Sequence, residues 1–318
     1  MPAFSQQLRE ERRLLELGVD KRTPADYLNQ GKKMGGFILV PKLTLHTIYD
    51  SNVLATNNNE KSDVSMLLTP SLNVQKKYGN HVFVFGGETE IERYISQSGE
   101  NSEAYKGYLR GILEGNSRWQ FPFSAIYTQK PRSRSTPVTT LTPTERLNIN
   151  TFHVDAGVTR RFNRLSLTLL GEYTDITYED GVSLDSGAPV IFSDDDRTRT
   201  GAKLKLRYDF PRDSAGNQAE HILYANIGYG QSEYKRRQFF GQGFTGPDAD
   251  NTDMGILVGF ETDYKGLVFA NIGAGFIRKI YDDPLLNNIN TYDLTADIAY
   301  NLTPKLTLNA MAERSIDQ

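Results

Sequence analysis

Apolar and polar residues alternate along most of this chain with a period of two, the spacing of side chains on opposite faces of a strand. The stretch 251–313 shows it most clearly. Tyr292, Leu294, Ala296, Ile298, Tyr300 and Leu302 share one face there, and Asp293, Thr295, Asp297 and Asn301 share the other. Met254, Ile256, Val258, Phe260 and Tyr264 repeat the apolar face, with Glu261 opposite, before a turn at Tyr264-Lys265-Gly266. Val268, Ala270, Ile272, Ala274 and Phe276 repeat it afterwards.

The same pattern predicts strands upstream. The first carries Phe37, Leu39, Pro41, Leu43 and Leu45 against Lys42, Thr44 and His46. The second carries Met66, Leu68, Pro70, Leu72 and Val74, and the third sets Phe83, Phe85, Gly87 and Ile91 against Glu88, Glu90 and Glu92. Tyr105, Leu109 and Leu113 oppose Lys106 and Arg110 in the fourth, and Trp119, Phe121, Phe123 and Ala125 mark the fifth. In the sixth, Phe152, Val154, Ala156, Val158 and Phe162 face away from His153, Asp155 and Arg161. Leu165, Leu167 and Leu169 continue into a seventh whose polar face holds Glu172. An eighth sets Ala202, Leu204, Leu206, Tyr208 and Phe210 against Lys203, Lys205 and Arg207, and Leu223, Ala225, Ile227 and Tyr229 make a ninth. With the three of the opening stretch and a last one from Leu306, the pattern predicts about thirteen strands.

Two folds bury such strands: a soluble antiparallel sheet with its apolar face on a core, and a transmembrane barrel with that face on lipid. About 9 to 11 residues at a steep tilt cross a bilayer, and five apolar positions at period two suit that length. The connections favour the barrel. Those after strands one, three, five, seven, nine and eleven are long or polar, and the intervening ones are mostly tight turns, as in barrels with short periplasmic turns and long outer loops. The expectation is therefore an all-β, antiparallel up-and-down transmembrane β-barrel of outer-membrane type over 36–318. Residues 1–35 are expected to form an N-terminal periplasmic segment with either a short amphipathic helix over 5–17, capped by Ser5 and ended at Gly18, or a mobile tail. Trp119, Phe162, Phe210, Tyr264 and Tyr300, outward and near the short turns, would form an interfacial aromatic girdle.

Composition agrees. Only 38% of the 318 residues are apolar and no run approaches the eighteen of a transmembrane helix, which leaves strands as the means of crossing. A polar lumen keeps such a chain hydrophilic on average. The 17 Tyr and 16 Phe suit sheet, and the absence of Cys suits an oxidising compartment without disulfides. A net charge of −3, without a polybasic tract or phosphate loop, argues against nucleic acid. The first eighteen residues lack the apolar core of a secretion signal, so the barrel reading takes the chain as the mature form.

Candidate chemistry is sparse. The four His are scattered without His-x-His or His-x-Glu spacing, so they read as solvated polar residues. No nucleophile and base are paired by pattern. Asp194, Asp195 and Asp196 lack the spacing of a calcium loop and read as a solvated acidic turn. Hence neither catalytic, metal nor cofactor residues are expected. The polar face carries the informative residues: Lys42, His46, Glu88, Glu90, Glu92, Lys106, Arg110, Asp155, Arg161, Glu172, Lys203, Lys205, Arg207, Glu261, Asp293 and Asp297 are expected to line a pore. Charge at that density needs water.

Several short motifs also carry a resemblance. Tyr49-Asp50-Ser51-Asn52-Val53, Leu68-Thr69-Pro70-Ser71-Leu72, Arg161-Phe162-Asn163-Arg164-Leu165-Ser166-Leu167, Gly266-Leu267-Val268-Phe269 and Tyr281-Asp282-Asp283-Pro284, in this order, resemble the putative β-barrel porin 2 family. The resemblance covers about Gly36 to the end. It implies an outer-membrane barrel associated with exopolysaccharide biosynthesis and export, whose partners would be outer-membrane lipid, a polysaccharide and periplasmic export components, with no enzymatic activity. A general diffusion porin and a closed structural or adhesive barrel are the alternatives. One further expectation follows from counting. Thirteen strands cannot close antiparallel, so the expectation is either an open or strained seam between the strands near Leu43 and Leu308, or a C-terminal truncation of at least one strand, about three by the resemblance, from about sixteen.

Overall fold

The computed structural model describes residues 31–56, 60–132, 143–183, 186–211, 220–235, 246–264, 267–303 and 306–314. The expected helix over 5–17 lies outside them. A short β1 (Lys32–Met34) leads into β2 (Phe37–Asp50), β3 (Asp63–Tyr78), β4 (His81–Tyr94), β5 (Ser102–Asn116), β6 (Trp119–Pro131), β7 (Asn148–Phe162) and β8 (Leu165–Tyr178). A small hairpin of β9 (Gly181–Val182) and β10 (Pro189–Val190) follows. Then come β11 (Arg197–Asp209), β12 (Glu220–Tyr234), β13 (Asn251–Tyr264), β14 (Val268–Tyr281), β15 (Ile289–Thr303) and β16 (Leu306–Arg314).

All but β9 and β10 belong to one sheet of 14 strands, each antiparallel to the next and in chain order. This is the up-and-down barrel wall of an outer-membrane type protein. The long strands correspond one to one with those predicted from the pattern. The fourteenth is β1, which extends the sheet upstream of the expected boundary at residue 36. Its hairpin turns at Gly35 and Gly36, with φ of 55° and 82°. A two-residue turn with positive φ at both central positions needs residues without a Cβ penalty. Gly79, at φ 57°, and Asn163, at φ 56°, supply the positive angle in two other short turns.

Long connections alternate with short ones, with one departure from the expectation. The link between β11 and β12 spans residues 210–219, more than those after β4 (95–101) and β14 (282–288). Length along the chain does not by itself assign a loop to an end of the barrel. Among the described residues no ladder joins β16 to β1 or β2, and Leu43 and Leu308 on those edges are exposed.

The distribution of burial is inverted relative to a soluble protein. Ile272 and Leu294 are 50% and 46% exposed, whereas Thr295 and Asp253 are 4% and 2% exposed. Large apolar side chains of the same parity are exposed on strand after strand, from Leu109 through Phe152, Leu169 and Ile227 to Ile256 and Phe276. Soluble monomers rarely show contiguous apolar patches beyond a few hundred Å². A band running round a whole wall therefore needs hydrocarbon against it.

Aromatic residues rim that band at both ends. Phe162, Phe210, Tyr264 and Tyr300 are exposed near the short turns, with Trp119 half-buried among them. Tyr49, Tyr105, Tyr127, Phe152 and Tyr292 are exposed near the long loops, a second girdle that the sequence reading missed. Tyr292 and Tyr300 stand eight residues apart on β15, about 26 Å along a strand at about 3.3 Å per residue. Tilted at about 40° as barrel strands are, that covers about 20 Å of an apolar band of about 25 Å.

Candidate functional site: the charged inner face

The face opposite the apolar band carries charged and hydrogen-bonding side chains, and strand alternation places them. Its centre is an ion-pair network on β8, β11 and β13. Arg199 grips Asp253 through both terminal guanidinium nitrogens, with Nη2 to Oδ2 at 2.8 Å, and its Nε lies 4.0 Å from Glu172. Lys203 closes on the other oxygen of Glu172. Strand β12 separates Arg199 from Asp253, and the guanidinium passes over Gly230, where a Cβ would collide with it. Gly201 stands directly opposite Gly230. A bidentate pair with little access to water is held far more firmly than an exposed one.

The same device recurs with tyrosine. The Tyr224 hydroxyl donates to Asn271 Oδ1 on β14 at 2.8 Å, crossing Gly259 on the intervening β13 and ending beside Gly273 on β14. Asn73 Nδ2 donates to the Tyr108 hydroxyl at 2.7 Å, and Tyr108 lies over Gly86. Long side chains thus lie flat along the wall.

Of the residues expected to line the pore, Asp155 is buried, accepts from the Ser124 hydroxyl and lies 3.3 Å from His153 Nε2. Lys106 stands opposite Glu88 on the neighbouring strand, and the Arg110 guanidinium lies 5.1 Å from the Tyr108 ring. Toward the short turns Arg207 pairs with Asp209 at 2.9 Å and reaches within 3.9 Å of Glu261. Lys205, Asp293 and Asp297 are partly covered on the same face. Glu92 turns to the outer rim, where it accepts from Ser65 at 2.9 Å and from Arg146 at 3.3 Å. Glu90, Arg161, Lys42 and His46 are exposed, the last two on the part of β2 that lies beyond the short β1. Arg199, Asp253, Tyr224 and Asn271 were not singled out from the sequence. Their parity matched the polar face, but nothing in a linear pattern shows which glycine opens a path between two strands.

Outer connections pack into a cap. Leu147, Val190 and Phe192 form a small buried cluster with Tyr178 against it, and the Arg132 guanidinium sits 3.9 Å from the Phe192 ring. Pro143 bridges to Ser183, and Thr144 N donates to Val182 O at 2.8 Å, joining the loops after β6 and β8. Arg146 ties that cap to Glu92 and Tyr94 on β4 and to Glu100 in the connection after it. Asp180 accepts from the backbone nitrogens of Phe192 and Ser193 at 2.7 and 2.8 Å. Within the acidic turn, Asp196 accepts from Tyr178 N at 2.7 Å, and burial pushes the carboxyl of Asp195 up from its ordinary value. Burial likewise raises Asp250, in the loop before β13. Among the described residues no three His, Cys, Asp or Glu side chains converge as a metal site requires.

A family model described as "Putative beta-barrel porin 2" matches residues 24–318. No curated protein matches. Among solved structures, the chain is similar to the beta domain of the Bordetella autotransporter BrkA, at 13% identity and a TM-score of 0.39, over 84% of this chain and 99% of that one.

Proposed function

This chain belongs to the putative beta-barrel porin 2 family, and from that premise we propose that it is a porin-like pore of the bacterial outer membrane, acting in the export of an exopolysaccharide. The observation that carries the pore is the inverted wall, with Ile272 and Leu294 bare and Asp253 and Thr295 covered. Hydrocarbon stabilises the first face, and only water or fixed partners tolerate the second.

The polysaccharide rests on the family resemblance. The inner face is compatible with it: its charges are largely neutralised in pairs, and the half-buried Asn73, Tyr108, Tyr224 and Asn271 offer hydrogen-bonding groups between them. Such a surface suits a hydroxylated polymer better than a single ion. The proposed role is a conduit without a chemical step. Its partners would be outer-membrane lipid, the polysaccharide and periplasmic export components.

Reconstitution in a planar bilayer tests the pore. Stepwise ion conductance is expected, blocked from one side by the exported polymer. A sealed bilayer with folded protein would reject the pore and favour a closed structural barrel. Conductance unaffected by polymer would favour general diffusion of small solutes.

A further inference from the structure

The short-turn end of β5 to β8 carries an arrangement that the pore does not use. Arg160 lies on the outward parity of β7, opposite Trp119 on β6 and Leu167 on β8. Its guanidinium is 4.5 Å from the Trp119 ring and 4.9 Å from that of Phe162, both residues of the girdle. Its Nε is enclosed and has no hydrogen-bond acceptor. Arg118 and Arg164 stand exposed in the adjoining turns, and Arg161 N donates to Arg118 O at 2.8 Å, which binds the two turns together. None of Arg118, Arg160, Arg161 and Arg164 has a carboxylate partner among the described residues. Nearby acids are engaged elsewhere, Asp209 with Arg207 and Glu114 with Gln120. At the same end Lys76 lies 4.4 Å from the Phe37 ring, again a cation on an aromatic.

Rings stacked on a guanidinium occupy its faces and leave its in-plane N–H groups for an acceptor, the geometry that phosphate oxygens match. The Nε is closed off, so it is the terminal nitrogens of the same guanidinium, which have no acceptor among the described residues and are not enclosed, that a phosphate can reach. We propose that Arg118, Arg160 and Arg164, with Trp119 and Phe162, bind the phosphate of an anionic phospholipid headgroup in the leaflet at the short-turn end. The inference rests on the outer-membrane reading, because Arg160 and both rings stand where the apolar band meets the interface. A lipid phosphate reaches that depth from the side, beside the rings.

Native mass spectrometry of the full chain, released from micelles containing equal phosphatidylglycerol and phosphatidylcholine, tests it. Phosphatidylglycerol is expected to be retained about tenfold over phosphatidylcholine, and the variant carrying Arg118→Gln, Arg160→Gln and Arg164→Gln is expected to lose that preference. Equal retention by both proteins overturns the proposal. Inorganic phosphate is not expected to displace the lipid; displacement would assign the patch to free phosphate instead. A poly-glutamate peptide binding in an arginine-dependent way, without lipid preference, would assign it to an acidic protein and equally overturn it. Heat-modifiable migration confirms folding, and if the triple variant fails to fold, Arg164→Gln in its exposed turn carries the comparison. Failure to insert into pure phosphatidylcholine vesicles would instead reject the membrane reading, whereas insertion without headgroup preference rejects this inference alone.

Discussion

Arg199 reaches Asp253 because the residue between them, Gly230, has no side chain. Adding one methyl there is expected to displace the guanidinium and leave Asp253, buried on β13, short of its partner. Gly230→Ala should cost about 1 to 3 kcal/mol. In an Arg199→Met background the same change should cost much less, because the two act through one interaction. Urea unfolding from detergent measures both, and additive effects would show that the methyl acts elsewhere. On the opposite face, Ile272→Arg puts a charge among exposed apolar side chains and should cost about 2 to 4 kcal/mol in a bilayer, while Asp297→Arg on the polar face should be milder. The reverse order would overturn the assignment of faces. Parity alone predicted which residues share a face, since it is a local property of strands. Which polar residues meet across a strand was not legible, because Arg199 and Asp253 are brought together by register and by a glycine.

At the scale of elements, the long strands were legible because each one repeats the alternation often enough to outweigh local ambiguity. Short β1 was missed, since Lys32–Met34 is too brief to show a period, though Gly35-Gly36 was the available turn signal. The outer loops read as polar connections, yet those after β6 and β8 share the buried cluster of Leu147, Val190 and Phe192. Irregular backbone has no period, so such packing leaves no trace in the pattern. Asp195 gives this cap a pH dependence. Burial disfavours its charged form, so the folded cap holds the proton more tightly than the unfolded loop does. Stability from this group is therefore greatest below the ordinary carboxyl pKa and falls as pH rises through the elevated one. Asp195→Asn should flatten that dependence and slow amide exchange in residues 188–196 at neutral pH. Hydrogen exchange as a function of pH measures it. An unchanged profile would place the carboxyl in contact with water.

For the whole molecule, the expectation of thirteen strands gives way to a sheet of fourteen, and the difference changes the geometry at the seam. With β2 as first strand, β16 would run parallel to it; β1 runs antiparallel to β2 and so antiparallel to β16 as well. The fourteen strands described in the large sheet thus have the even parity of bacterial single-chain barrels, although no ladder joins the ends among the described residues. Charge balance is the other property of the whole wall. Lys203 answers Glu172, Arg199 answers Asp253 and Arg207 answers Asp209, so a pore lined this way presents little net field. Wild-type conductance should therefore discriminate weakly between potassium and chloride. Reversing Lys203, Lys205 and Arg207 to Glu removes three positive charges and adds three negative ones along one strand, leaving Asp209 without Arg207 and Glu172 with only Arg199, whose Nε is 4.0 Å away. The lumen should then select cations, because walls of one sign set ion preference. Reversal potentials in a potassium chloride gradient measure the shift, with protein first shown to be folded by heat-modifiable migration. Conductance with an unshifted reversal potential would place β11 away from the path of the ions and remove this face from the pore.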